Sequence, residues 1–110
     1  MTSINDFHKI DMRVGCIINV HDFPEANKPS YQLTIDFGHA IGVKKSSAQI
    51  TELYTKEELI NRLVIAVVNF PPKQIAHFFS EILILGVHNE HGQVVLLTPE
   101  RDIPVGGRVY

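Results

Sequence analysis

Met12-Arg13-Val14-Gly15-Cys16-Ile17-Ile18-Asn19-Val20 is the stretch on which the fold turns. In an extended chain successive side chains point to opposite faces, so Met12, Val14, Cys16, Ile18 and Val20 fall on one face and Arg13, Gly15, Ile17, Asn19 and His21 on the other. This predicts a long strand with a mostly apolar face, ended by Phe23-Pro24. Gly15 removes a side chain inside it, as a strand needs where it bends at the corner of a small closed barrel.

Beyond the loop Pro24 to Pro29, Tyr31, Leu33, Ile35 and Phe37 alternate with Gln32, Thr34 and Asp36. That is a second strand, with a hairpin partner expected past Gly38 at Ala40 to Lys44. Ser47 to Leu59 places Ile50, Leu53, Tyr54 and Leu59 among polar residues at a spacing closer to helical turns, which predicts one connecting helix. Leu63 to Asn69 is a β-branched run, and Ile82 to Val87 and Val94 to Leu97 flank the polar turn His88-Asn89-Glu90-His91-Gly92, so all three are expected as core strands. Upstream, Ser3-Ile4-Asn5-Asp6 has capping-box spacing for a short helical turn. Strand, strand, strand, helix, strand, strand and a short terminal strand is the order that the OB-fold uses, although other small barrels accept the same pattern. The expected class is all-β with short helices: a five-stranded Greek-key OB-fold barrel with a connecting helix and short terminal extensions.

The 110 residues suit one domain, 1-110, and leave no room for a second core. A net charge of −2, from 10 basic and 12 acidic residues, excludes indiscriminate coating of a polyanion, so any nucleic acid must meet a local basic patch. The single Cys16 rules out an internal disulfide and fits a reducing compartment. An opening without a basic or apolar leader, and no apolar run of spanning length, lead to the expectation of a cytoplasmic protein with no membrane insertion.

At the level of motifs, Ile10-Asp11-Met12-Arg13-Val14-Gly15, Phe23-Pro24-Glu25-Ala26-Asn27, and Asn69-Phe70-Pro71-Pro72-Lys73-Gln74-Ile75 followed by Ser80-Glu81 resemble, in order, those of the OB-fold tRNA-binding domain family. The family includes free-standing dimers and an appendage of methionyl-tRNA synthetases. Ile35-Asp36-Phe37-Gly38, Lys45-Ser46-Ser47-Ala48-Gln49-Ile50, the run Val64 to Pro72, and Val95-Leu96-Leu97 look most like its bacterial branch of cytosolic, homodimeric, export-related chaperones. The resemblance covers essentially the whole chain. It implies a molecular chaperone without catalysis that binds unfolded or export-bound polypeptides as a homodimer, with tRNA as a further partner; the alternative is a structure-specific tRNA-binding protein, also acting without catalysis. One departure is Glu81-Ile82, where many tRNA-binding relatives carry Gly and Met after the serine.

In an OB-fold the first loop and the face of strands two and three line the binding groove, so Lys28, Lys44 and Lys45 are expected to converge there, with Lys73 nearby. Ser46, Asn69 and Ser80 are expected to donate to phosphate or ribose oxygens. In a nearly neutral protein, ordinary solvated surface lysines are the competing reading. Phe70, Pro71, Pro72, Ile75, Phe78 and Phe79 form an apolar segment whose prolines keep it out of a sheet. These side chains either pack on the barrel or a dimer interface, or line a groove for apolar stretches of an unfolded chain, held open without an ordering cost. The apolar ending Pro104 to Tyr110 is expected to dock on a neighbouring subunit.

No cofactor, metal or catalytic residue is expected. His88 and His91 lack a third ligand. Gly38 to Ser46 has the wrong glycine spacing for a phosphate loop and reads as a hairpin. Cys16, on the apolar face of its strand, is expected to be an inert buried thiol.

Overall fold

The computed structural model describes all residues 1–110. After helix α1 (Ile4–His8), the strands are β1 (Met12–Asp22), β2 (Tyr31–Asp36) and β3 (Val43–Ala48). A short helix α2 (Lys56–Leu59) leads to β4 (Leu63–Val67), β5 (Lys73–Ile75), β6 (Phe78–Ser80), β7 (Leu83–Ile84), β8 (Gly86–His88) and β9 (Val94–Leu96). Five of them form one antiparallel sheet in the order β3-β2-β1-β4-β7, while β5-β6 and β8-β9 are separate hairpins.

The long β1 makes this curvature possible because its first half pairs with β4 and its second half with β2. Closure comes from the opposite end, where the Glu81 N–H donates to the Lys45 carbonyl at 2.8 Å and the Glu81 carboxylate accepts the Lys45 N–H at 2.9 Å. A side chain thus stands in for a missing strand carbonyl, which gives a physical role to the residue that departs from the relatives' Gly. The result is the expected OB-type barrel, nearly closed and mostly β.

Strict alternation along β1 does not hold. The register slips between Ile17 and Asn19, so Ile18 is bulged outward and the core-facing set becomes Gly15, Ile17 and Val20. Cys16 accordingly leaves the core face and is half-buried. Gly15 serves close packing: a Cβ there would lie 2.6 Å from Ile35 Cγ2 and 2.7 Å from Phe37 Cε1. The β2 alternation stands, with Tyr31, Leu33, Ile35 and Phe37 all buried in a core with Ile50, Leu59, Val64, Ala66, Ile82 and Leu96. The Tyr31 hydroxyl is satisfied at the Tyr54 carbonyl, 2.8 Å away, and the Tyr54 hydroxyl accepts the Leu96 N–H at 3.0 Å.

Other boundaries move for local reasons. β3 starts at Val43, because Gly38 and Gly42, both at positive φ, make the turn. The connecting helix shrinks to Lys56–Leu59, set by a Thr55/Glu58 capping box that inserts Leu59 into the core. Ser3 and Asp6 form the expected capping box of α1. The diproline excludes only itself from pairing, since Lys73 to Ser80 immediately forms the β5-β6 hairpin.

The carboxy-terminal segment pairs with β1 of its own chain, leaving Tyr110 exposed. Val14 N–H donates to Gly107 O at 2.9 Å, Gly106 N–H to Val14 O at 2.8 Å, and Val109 N–H to Met12 O at 2.9 Å. Arg13 reinforces this through Gly106 O at 3.0 Å, and Asp11 sits 2.6 Å from Arg13 and 3.6 Å from Arg108. Those guanidinium groups, led by the Arg13 hydrogen bond, hold the Asp11 carboxyl below its ordinary pKa.

Candidate functional site

The β1-β2-β3 register fixes what the outer face of the barrel presents. Asn19, Thr34 and Lys45 form one row across the sheet, and His21, Gln32 and Ser47 the next. The intervening rows, Val20-Leu33-Ser46 and Ile17-Ile35-Lys44, point inward. Lys44 and Lys45 therefore part: Lys45 is exposed on the polar outer face, and Lys44 is half-buried on the inner face at the rim. The cleft that holds Lys28 is lined by neither Lys44 nor Lys45. Lys28 shares this cleft of about 420 Å³ with Lys73, between the Phe23 to Ser30 loop and the β5-β6 hairpin, floored by Ser47 and Gln49. None of Lys28, Lys44, Lys45 or Lys73 takes part in an ion pair.

The three neutral polar residues expected at phosphates are engaged by the fold. Ser46 is 1% exposed, its hydroxyl 3.2 Å from the Ser47 carbonyl and 3.4 Å from that of Ile82. The Ser80 hydroxyl accepts the Ser47 N–H at 3.0 Å across the closure. Asn69 accepts the Asp11 N–H at 2.9 Å and donates to the Lys9 carbonyl at 2.8 Å, tying α1 to the barrel. Hydroxyls and amides beside a barrel seam serve backbone groups that neighbouring strands leave unpaired, and single-sequence reading cannot separate that use from ligand contact.

An apolar groove of about 490 Å³ runs on the other side of the β5-β6 hairpin. Phe70, Pro71 and Ile75 form one wall, and Leu83, Ile84, Leu85, Val94 and Leu96 the other. Phe70 is 44% exposed and Leu83 49%, so the groove presents apolar surface to water. The remaining aromatics disperse. Phe78 is half-buried on Phe23, with ring centroids 5.3 Å apart, and Phe79, 56% exposed, lies outside the groove. Pro72 is exposed and also outside it. The second wall was missed because Ile82 to Val87 and Val94 to Leu97 read as core strands. An unbroken apolar run does not say which of its faces another element covers.

Burial raises the Cys16 thiol pKa, with a further push from the Asp36 charge, so the nucleophilic thiolate is scarce at neutral pH. His88 and His91 flank the β8-β9 turn and belong to no group of three or more metal-ligand side chains. Gly38 to Gly42 is a hairpin turn, closed by the Gly42 N–H donating to Gly38 O at 2.7 Å.

A polar face edged by free lysines on an OB-type barrel accords with the family comparison. Residues 12–108 match the family described as "Putative tRNA binding domain". The chain belongs to this family. Among solved structures it is 58% identical to the CsaA chaperone protein from Picrophilus torridus, with a TM-score of 0.93 and 100% of both chains covered. It is 46% identical to the chaperone CsaA from Bacillus anthracis str. Ames, also with a TM-score of 0.93, covering 100% of this chain and 99% of that one. The methionine–tRNA ligase of Thermococcus onnurineus is 34% identical over 104 residues, 94% of this chain. The chain spans only 14% of that ligase. The resemblance to CsaA-type members of the tRNA-binding family is thus supported over the full length.

Proposed function

We propose that this chain, as one tRNA-binding-type OB-fold domain over 1-110, is a CsaA-like holding chaperone. It binds apolar segments of unfolded or export-bound polypeptides and performs no chemical step. The open groove walled by Phe70 and Leu83 carries this reading, because it offers apolar surface that a chain with exposed hydrophobic side chains can cover. Likeness to two CsaA chaperone structures supports it. We assign peptide contact to Phe70, Pro71 and Ile75 with Leu83 and Leu85. Pro72, Phe78 and Phe79 drop out of that set.

A second activity, tRNA binding, is favoured by the unpaired Lys45, Lys28 and Lys73 around the polar face and cleft, and by the family itself. Both activities are assigned to the cytoplasm. No helix of the protein is long and apolar enough to cross a membrane. A homodimer is assigned as the working form, supported by the exposed apolar Val87, Val95 and Leu97, which lie outside the groove. Sedimentation at micromolar concentration should return about twice the 12.4 kDa monomer mass, and a 12.4 kDa particle contradicts the dimer.

The deciding experiment is a salt series. Phosphate contacts release counterions, so retention of labelled tRNA should fall steeply with salt, whereas capture of a denatured client should hold or strengthen. Phe70→Ser should weaken client capture by about tenfold, roughly 1.4 kcal/mol of lost apolar burial. Undiminished capture by this variant refutes the groove.

A further inference from the structure

The apolar groove and the polar cleft are not separate features. Ser47, Gln49, Lys73 and Ile75 line both, and β5 is the wall between them. Lys73 is the one basic residue lining the apolar groove. It is exposed and has no carboxylate within salt-bridge distance. The groove's single acidic residue, Glu81, is half-buried, accepts the Lys45 N–H at 2.9 Å and makes no ion pair with Lys73. A lysine ammonium is a compact charge with three donors on a flexible stem, able to swing to either side of a thin hairpin.

Resting on the peptide and tRNA reading above, we propose that Lys73 couples the two sites. It selects apolar polypeptide segments that carry a carboxylate, and it serves a phosphate in the cleft when no such carboxylate is present. The two ligands then antagonise each other across the lining they share, in which Lys73 is the one charged side chain common to both sites. Only one ammonium is at stake, so a ternary complex still forms and the antagonism saturates at a finite factor. An exposed charge pair sets that factor at about threefold to fivefold. By linkage, tRNA must raise the peptide Kd by the same factor as peptide raises the tRNA Kd.

The test uses the full chain, a labelled apolar peptide with one central aspartate, its Asp-to-Asn counterpart, and a tRNA transcript. Each Kd is measured by anisotropy with and without a saturating amount of the other ligand. The expected result is a reciprocal increase of about threefold to fivefold with the aspartate peptide, a factor near one with the Asn peptide, and loss of the effect in Lys73→Gln. Lys73 makes no side-chain hydrogen bond within the protein, so the replacement leaves the fold unchallenged. Two results overturn the coupling while leaving the functional reading intact: both ligands binding independently, or antagonism persisting in Lys73→Gln. Failure of the aspartate peptide or of tRNA to bind at all overturns the functional reading and the coupling with it.

Discussion

Gly15→Ala probes how tightly this barrel is filled. The added Cβ would sit 2.6 Å from Ile35 Cγ2 and 2.7 and 2.8 Å from two Phe37 ring carbons. Carbon atoms settle at about 3.5 Å or more, so neighbours must retreat by about 1 Å. Neither can move freely: Ile35 is 0% and Phe37 1% exposed. Overpacking of this kind costs about 1–3 kcal/mol. The backbone at Gly15 has no positive φ, so alanine also recovers roughly 0.4–1 kcal/mol by restricting the unfolded chain. The net expectation is destabilisation of about 1–2 kcal/mol, or roughly 4–10 °C in Tm for a domain of this size. Urea unfolding monitored by circular dichroism should show the lower midpoint with an unchanged m-value. An alanine variant as stable as the parent, or more so, would refute the argument that Gly15 is there to admit the Phe37 ring.

The outward and inward rows of β3 predict that Lys45→Ala reduces the salt slope of tRNA binding by about 0.7–0.9, whereas Lys44→Ala changes it far less. Equal effects in a nitrocellulose-retention series would contradict the register argument. Ser80→Ala leaves the Ser47 N–H at the seam without its acceptor and should cost about 1–2 kcal/mol in urea unfolding. Because the folded-state pKa of Asp11 is depressed, its ion pairs stabilise the fold above the unfolded carboxylate pKa. That stability is lost as pH falls through the ordinary carboxylate range toward the lower folded value. Asp11→Asn should flatten the acid limb of stability against pH, and an unchanged limb would place the acid sensitivity elsewhere, for instance at Asp6 or Glu58, whose pKa values are also lowered by capping hydrogen bonds.

Legibility in the sequence followed the range of the physics involved. The capping box at Ser3 and the Tyr31 to Phe37 alternation are short-range patterns, and each survives in the structure, whereas the expected strand Ile82 to Val87 splits into β7 and β8 and the β5-β6 hairpin is inserted before it. The β1 faces were misjudged because one bulged residue, Ile18, inverts every later side chain, and nothing in Cys16-Ile17-Ile18-Asn19 announces it. Lys28, Lys44, Lys45 and Lys73 were recognisable as basic residues in the right loops and strands. Their grouping was not, because it depends on how a hairpin folds over a loop more than forty residues away.

By itself the sequence determined a β-rich barrel, its family, a lone cysteine and a nearly neutral charge, since these follow from composition, local periodicity and motif order. Only the tertiary structure decided that Ser46, Ser80 and Asn69 serve the fold, that the carboxy-terminal segment covers β1 of its own chain, and that one lysine stands between two grooves. The reason is that hydrogen-bond partners and burial are set by which distant segments meet. That depends on register and closure, both of which lie beyond the reach of neighbouring residues.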